Sequence, residues 1–361
     1  MEMEGRMDGK TGITRRGWLT AATAAAAVSR LEVRAAPAAP VQEGVANQIR
    51  GVVLIMNTPF TESGAVDYES LAYEVRFINR CGGKAFVWGQ LDPFLNEEER
   101  LRAMETVVKA NRGQKAIVGL GVQGRDTAEM LKYAKHAEAL APDMIISRPP
   151  ENGRTQEDYR AYYRALATAT KRPVIIQTSG GGGVRLAPST DLIIELAREF
   201  PNFGYVKEEA PVGKPLEIVT RQKELLSHRP PMKSVLSANY GFGLLYEMRL
   251  GIDGIVTGSA MYTDVLTRMW DMHVRGEEER LREAYGRFLL LRNLSEQIPA
   301  TDLYLWKKRG VYKTMTTRRG VRAGTRGEYT VGETKLTDTE IAEIEYRFAS
   351  LKPYLAKESS S

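Results

Sequence analysis

Phe203-Gly204-Tyr205-Val206-Lys207-Glu208-Glu209-Ala210 reads as a short buried strand that Pro211 and Gly213 bring to an end. Strand alternation sends Tyr205, Lys207 and Glu209 to one face and Val206 and Glu208 to the other. A lysine among apolar strand residues needs a physical reason, because taking its charge out of water is costly. One reading is a neutral amine, a nucleophile for ketones. The other is a buried stem whose head reaches water or pairs with an adjacent glutamate.

Outward from this stretch the chain alternates strand and helix. Strands are expected at Gly51–Asn57, Lys84–Gly89, Lys115–Gly121, Asp143–Ser147 and Pro173–Thr178 before it, and at Lys233–Ala238 and Asp253–Gly258 after it. Helical patterns follow each one, at Tyr68–Arg80, Asn96–Asn111, Asp126–Leu140, Gln156–Thr170, Ser189–Phe200, Leu216–Leu226, Tyr240–Leu250 and Met261–Arg275. The strands are continuous apolar runs, as parallel strands covered on both faces are. Eight evenly spaced units predict a (β/α)8 TIM barrel over residues 50–276, with a doubly wound sheet as the rival. Residues 277–361 read as a helical extension packed on the barrel, with helices at Glu279–Leu294, Asp302–Lys308 and Asp338–Leu351. Residues 307–326 hold eight basic residues and no acid, read as a solvated or subunit-contact surface.

Residues 1–40 do not read as fold. Thr14-Arg15-Arg16-Gly17-Trp18-Leu19 precedes an alanine-rich run from Ala21 to Val28, then an Ala/Pro segment from Ala35 to Pro40. This order resembles a twin-arginine export signal, so the mature protein is expected outside the cytoplasm. The apolar run is too short and alanine-rich to span a membrane. The net charge of +6 is modest and no aromatic-basic motif accompanies it, so nucleic acid is not expected as a partner. A single cysteine, Cys81, excludes an internal disulfide framework. His136, His228 and His273 lie far apart without metal-ligand spacing, and no metal or cofactor is expected.

In a barrel of this kind the chemistry sits at the C-terminal ends of the strands, where Lys207 falls. Thr58-Pro59-Phe60, Glu97-Glu98-Glu99-Arg100, Thr155-Gln156-Glu157, Val206-Lys207-Glu208 and Gly251-Ile252-Asp253-Gly254-Ile255 occur in order along the chain. On these motifs, residues 50–320 resemble the dihydrodipicolinate synthase/N-acetylneuraminate lyase family. The resemblance implies a barrel, usually tetrameric, that binds pyruvate or another 2-oxo acid as an imine. It then makes or breaks a carbon–carbon bond, or dehydrates a sugar acid. Lys207 falls on the family's Schiff-base lysine. A homo-oligomer, tetramer or dimer, is the expected assembly, and a small 2-oxo acid or sugar acid the expected substrate.

The chain departs from the family at its proton relay. The hydroxyl-rich motif after strand two is replaced by Gly89-Gln90-Leu91-Asp92-Pro93. The tyrosine ending strand five is replaced by Gln177, and a second tyrosine, after strand four, by Glu151. The arginine of the strand-five loop is replaced by Gly181 within Gly180–Gly183, with Arg185 nearby. That glycine run lacks a following Lys-Ser/Thr and reads as an open mouth, not a nucleotide loop.

Glutamine does not shuttle protons near neutral pH, so Tyr205, Glu209 and Glu151 join Lys207 as candidate catalytic residues. Gln177, Gly89, Gln90, Asp92, Thr58, Trp88 and Arg185 are candidates for substrate binding, Trp88 as a stacking face alongside Trp270 and Trp306. Two other classes stay open. One is a binding barrel without turnover. The other is a sugar-active enzyme using carboxylates from Glu208, Glu209, Glu151 and Asp92.

Overall fold

The computed structural model describes residues 49–89, 94–179, 186–238, 240–257, 259–320 and 328–357. The expected leader, together with Gln90, Asp92, the glycine run and Arg185, lies outside them. Eight parallel strands close into a barrel in sequence order. They are β1 (Gly51–Ile55), β2 (Ala85–Trp88), β3 (Ile117–Gly121), β4 (Met144–Ser147), β5 (Val174–Gln177), β6 (Tyr205–Glu208), β7 (Ser234–Ser237) and β8 (Gly254–Thr257). Closure is made by Val52 of β1 pairing with Ile255 of β8. A helix follows each strand, α1 (Tyr68–Arg80), α2 (Glu97–Asn111), α3 (Thr127–Leu140), α4 (Gln156–Ala169), α5 (Thr190–Glu199), α6 (Pro215–Ser227), α7 (Leu244–Leu250) and α8 (Thr263–Val274). The expected barrel is therefore the observed fold. Helix α7 starts four residues later than the pattern predicts, because Tyr240 and Gly241 take left-handed backbone with φ of 48° and 81°.

Two apolar layers follow from the alternation of side chains. Val53, Ile55, Ala85, Val87, Ile117, Met144, Ile146, Ile175, Tyr205, Leu236 and Val256 fill the barrel. Val52, Leu54, Phe86, Trp88, Val118, Leu120, Ile145 and Val206 point outward and meet the helices. The motifs that open α2 and α4 have a local cause. Asn96 accepts from the Glu99 backbone while Glu99 accepts from the Asn96 backbone, and Thr155 and Asp158 do the same. Each reciprocal cap satisfies two otherwise orphaned donors.

Beyond the barrel lie α9 (Glu278–Arg292), α10 (Thr301–Lys308) and α11 (Asp338–Ala349). The extension is not all helical. β9 (Thr316–Gly320) and β10 (Tyr329–Glu333) form an antiparallel hairpin. In β9, buried Thr316 and Arg318 alternate with outward Thr317 and Arg319, so the period-two signal is written in polar residues. The basic run is also not simply solvated. Arg309 pairs with buried Asp264 at 2.6 Å, and Lys313 with Glu69 at 2.6 Å.

Arg318 reaches furthest. Its guanidinium grips both carboxylate oxygens of Glu99 at 2.7 and 2.6 Å and donates to the carbonyls of Gly64 and Phe94. It lies between the Phe60 and Tyr329 rings, 4.6 and 4.2 Å from their centroids. Removing one partner of such a pair strands the other. Arg318→Ala is expected to lower unfolding free energy by about 3 kcal/mol, read from urea denaturation. A change under about 0.5 kcal/mol, the size typical of a surface substitution, would contradict this role.

Candidate active site

β6 carries its lysine to the C-terminal mouth of the barrel. Lys207 is 3% exposed, and its Nζ lies 3.0 Å from Oε2 of Glu209. Burial pulls its pKa below the ordinary lysine value, Glu209 pushes it back up, and Arg148 pushes it down. Glu209 in turn accepts from Gln177 Nε2 at 2.6 Å and from the Ser179 hydroxyl. The register explains the meeting of Gln177 and Lys207, which are direct partners across β5 and β6.

The same register identifies two residues that the sequence reading passed over. Ser147 pairs with Ile176, so Arg148 comes beside Gln177 one residue further on. Met144 and Ile146 point into the barrel, and by alternation so does Arg148, which is 8% exposed. On β3, Ile117 points inward, and the same parity turns Gly119, Gly121 and Gln123 inward. Gln123 Nε2 donates to the carbonyl of Gly89 at 2.6 Å. Gln123, Arg148, Gln177 and Lys207 thus form a polar arc over the apolar core, at or just past the C-terminal ends of four successive strands. Gly89 and Gly121 leave the β2–β3 side of that arc without side chains; a Cβ at Gly89, whose φ is 97°, would fall 3.4 Å from the Gly121 carbonyl.

Other expected site residues lie elsewhere. Tyr205 is in the layer below, inside the apolar core. Its ring centroid is 5.5 Å from Lys233 Nζ and its phenol feels Arg50, and both cations lie at the N-terminal end of the barrel. It fills the barrel and does not accompany Lys207. Trp88 is fully buried behind the strand, donating to Thr58 Oγ1 at 3.2 Å, and does not line the mouth, whereas Thr58 lines a cavity with Asn57, Pro59 and Phe60 just past the end of β1. Trp270 lines a cleft with Arg50, Lys84 and Lys115 at the opposite end. Trp306 stacks on Tyr312 in the outer layer, ring centroids 5.0 Å apart. The carboxylate of Glu151 acts on Arg125 of the loop after β3, whereas the charges acting on Lys207 are those of Glu209 and Arg148.

Glu208 turns the opposite way from Glu209, toward α6. It is fully buried and accepts from Thr178 Oγ1 and the Ala210 backbone at 2.9 Å, and from Arg221 at 3.1 Å. Burial raises its pKa and Arg221 counters that rise. This geometry removes it from any carboxylate pair in the mouth. Glu208→Ala is expected to cost about 3 kcal/mol of stability by stranding Arg221, while the folded variant still forms whatever adduct Lys207 forms. Loss of the adduct in a folded Glu208→Ala protein would place this residue in the chemistry.

A model of the dihydrodipicolinate synthetase family matches residues 48–321, spanning every strand of the barrel. The chain belongs to the dihydrodipicolinate synthetase family. Among family relatives, the 4-hydroxy-tetrahydrodipicolinate synthase of Chlorobium luteolum is 31% identical over 274 residues, 73% of this chain and 88% of its own. That of Parabacteroides distasonis is 30% identical over 253 residues, covering 68% and 82%. The solved dihydrodipicolinate synthase of Aquifex aeolicus superposes with a TM-score of 0.69 at 22% identity, over 85% of this chain and all of that one. The enzyme of Methylacidiphilum fumariolicum SolV gives 0.70 at 18%, covering 85% and 97%. These structures share the fold. The amide of Gln177, which the resemblance leads one to expect at a tyrosine position, is here committed to Glu209. Among the described residues no helix is long and apolar enough to cross a membrane.

Proposed function

We propose that this chain is a Schiff-base lyase acting on a 2-oxo acid, with Lys207 as nucleophile and Glu209 as its proton partner. The observation that carries the reading is the buried Lys207 amine at the mouth, 3.0 Å from one carboxylate. A lysine whose pKa is depressed by burial holds more neutral amine at working pH than an exposed one. Glu209 takes the proton from the ammonium. The amine then adds to the ketone carbon, and protonated Glu209 returns a proton to the carbinolamine oxygen as it leaves as water. With the iminium as electron sink, the Glu209 carboxylate removes a proton from the adjacent carbon and an enamine results. That enamine adds to an electrophile, or the reverse sequence cleaves the bond. Arg148, beside Gln177 on the arc, supplies positive charge for the substrate carboxylate.

The name of the Chlorobium luteolum relative supports synthase-type chemistry. The test is incubation with pyruvate and cyanoborohydride, followed by peptide mass analysis. Irreversible mass gain on the Lys207 peptide supports the reading. No gain with pyruvate or any other small 2-oxo acid overturns it.

A further inference from the structure

Two side chains of the polar arc are half satisfied. Gln123 and Gln177 are 5% and 2% exposed. Each commits its amide nitrogen, Gln123 to the Gly89 carbonyl and Gln177 to the Glu209 carboxylate. Both of those partners only accept, so the amide orientations are forced by chemistry. The remaining oxygens, Oε1 of Gln123 and Oε1 of Gln177, are buried and have no hydrogen-bond partner among the described residues. A buried acceptor without a donor costs free energy, and native proteins keep few of them.

The carboxylate and ketone of a plain 2-oxo acid offer only acceptors, which these oxygens would repel. A substrate hydroxyl offers the donor they lack. Gln177 is the register partner of Lys207, so its oxygen lies next to the carbon that bears the imine. Gln123, on β3, lies across the arc from Lys207, where the rest of a longer substrate would extend.

We propose that Gln177 selects a hydroxylated 2-oxo acid, one with a hydroxyl on the carbon beside the ketone, over the unsubstituted acid, and that Gln123 accepts from a hydroxyl further along a longer substrate. This rests on the Schiff-base reading and adds to it a donor-bearing substrate class. Such a site discriminates through its own unpaired groups: the acid without the hydroxyl leaves the oxygen buried and unsatisfied.

The test compares hydroxypyruvate with pyruvate as trapping substrates, reading the concentration that half-saturates cyanoborohydride-dependent labelling of Lys207. Hydroxypyruvate is expected to half-saturate at about a tenfold lower concentration, the value of one hydrogen bond to a buried acceptor. Gln177→Met is expected to bring the ratio of the two half-saturation concentrations to about one, whatever it does to the absolute extent of labelling. Gln123→Met is expected to keep the hydroxypyruvate preference, since hydroxypyruvate is too short to reach across the arc. Equal half-saturation in the wild type, or a preference surviving in Gln177→Met, overturns the proposal while the Schiff base stands. Labelling by neither acid overturns the Schiff base and the selection together.

Discussion

Lys207→Ala is expected to abolish the cyanoborohydride-dependent adduct and to lower any lyase turnover by about six orders of magnitude, the scale on which a lost nucleophile is felt. Other amines reach the barrel ends, but they lack this setting. Lys233 is half-buried, with a pKa lowered by burial alone, and it sits under Tyr205 at the opposite end. The substitution leaves Glu209 with donors from Gln177 and Ser179, so the fold is expected to survive. Lys207→Arg makes a sharper control. It keeps a cation beside Glu209 but never a neutral amine. Both variants should melt cooperatively and both should be unlabelled by pyruvate. A labelled Lys207→Arg protein would move the nucleophile elsewhere.

The second large effect is expected at Glu209, where two consequences run in opposite directions. Glu209 raises the pKa of Lys207 against the pull of burial and Arg148. Glu209→Gln removes that support, so the amine is expected to lose its proton at lower pH. The rising limb of adduct formation against pH therefore shifts downward, from a wild-type midpoint that already lies below the ordinary 10.5 of lysine. Proton transfer suffers at the same time. Exchange of the methyl protons of pyruvate into deuterated water reports enamine formation, and it should fall by about 10²- to 10⁴-fold, the usual worth of a general base. A purely structural carboxylate would leave the exchange per labelled lysine unchanged. Unchanged exchange in Glu209→Gln would remove it from the relay and return the role to a residue outside the described segments.

Much of this was legible because the barrel announces itself in period and order. Eight apolar runs, each followed by a helical pattern, sufficed for the fold. Lys207 and its same-face neighbour Glu209 followed from counting by twos along one strand. The same counting stopped too early on β3 and β4. Gly119, Gly121 and Gln123, like Met144, Ile146 and Arg148, continue the inward set past the apolar run, but a polar residue after a strand reads as loop. Tyr205 failed for a different reason. Alternation gives the face and not the depth, and one inward step along a barrel strand separates the core from the mouth. Trp88 failed on parity, since it points behind the barrel. Tyr240 carried no signal in the sequence at all. Its left-handed backbone, its exposed ring beneath the Arg292 guanidinium at 5.0 Å and the influence of Glu209 on its phenol arise only from tertiary contacts.

Three acids of the barrel depend on partners placed later in the chain. Glu74 receives the Tyr312 hydroxyl at 2.8 Å, Glu99 receives Arg318, and Asp264 receives Arg309. During synthesis, a nascent chain that has just passed its eighth strand and added Asp264 would hold these carboxylates in half-built surroundings, deprived of those donors. The cylinder therefore reaches its full strength only when the ribosome has delivered residues some 50 to 60 positions further on, read from the separation of Thr257 from Arg309 and Arg318. An excised barrel ending near residue 276 would retain every strand and still inherit the weakness of an unfinished one.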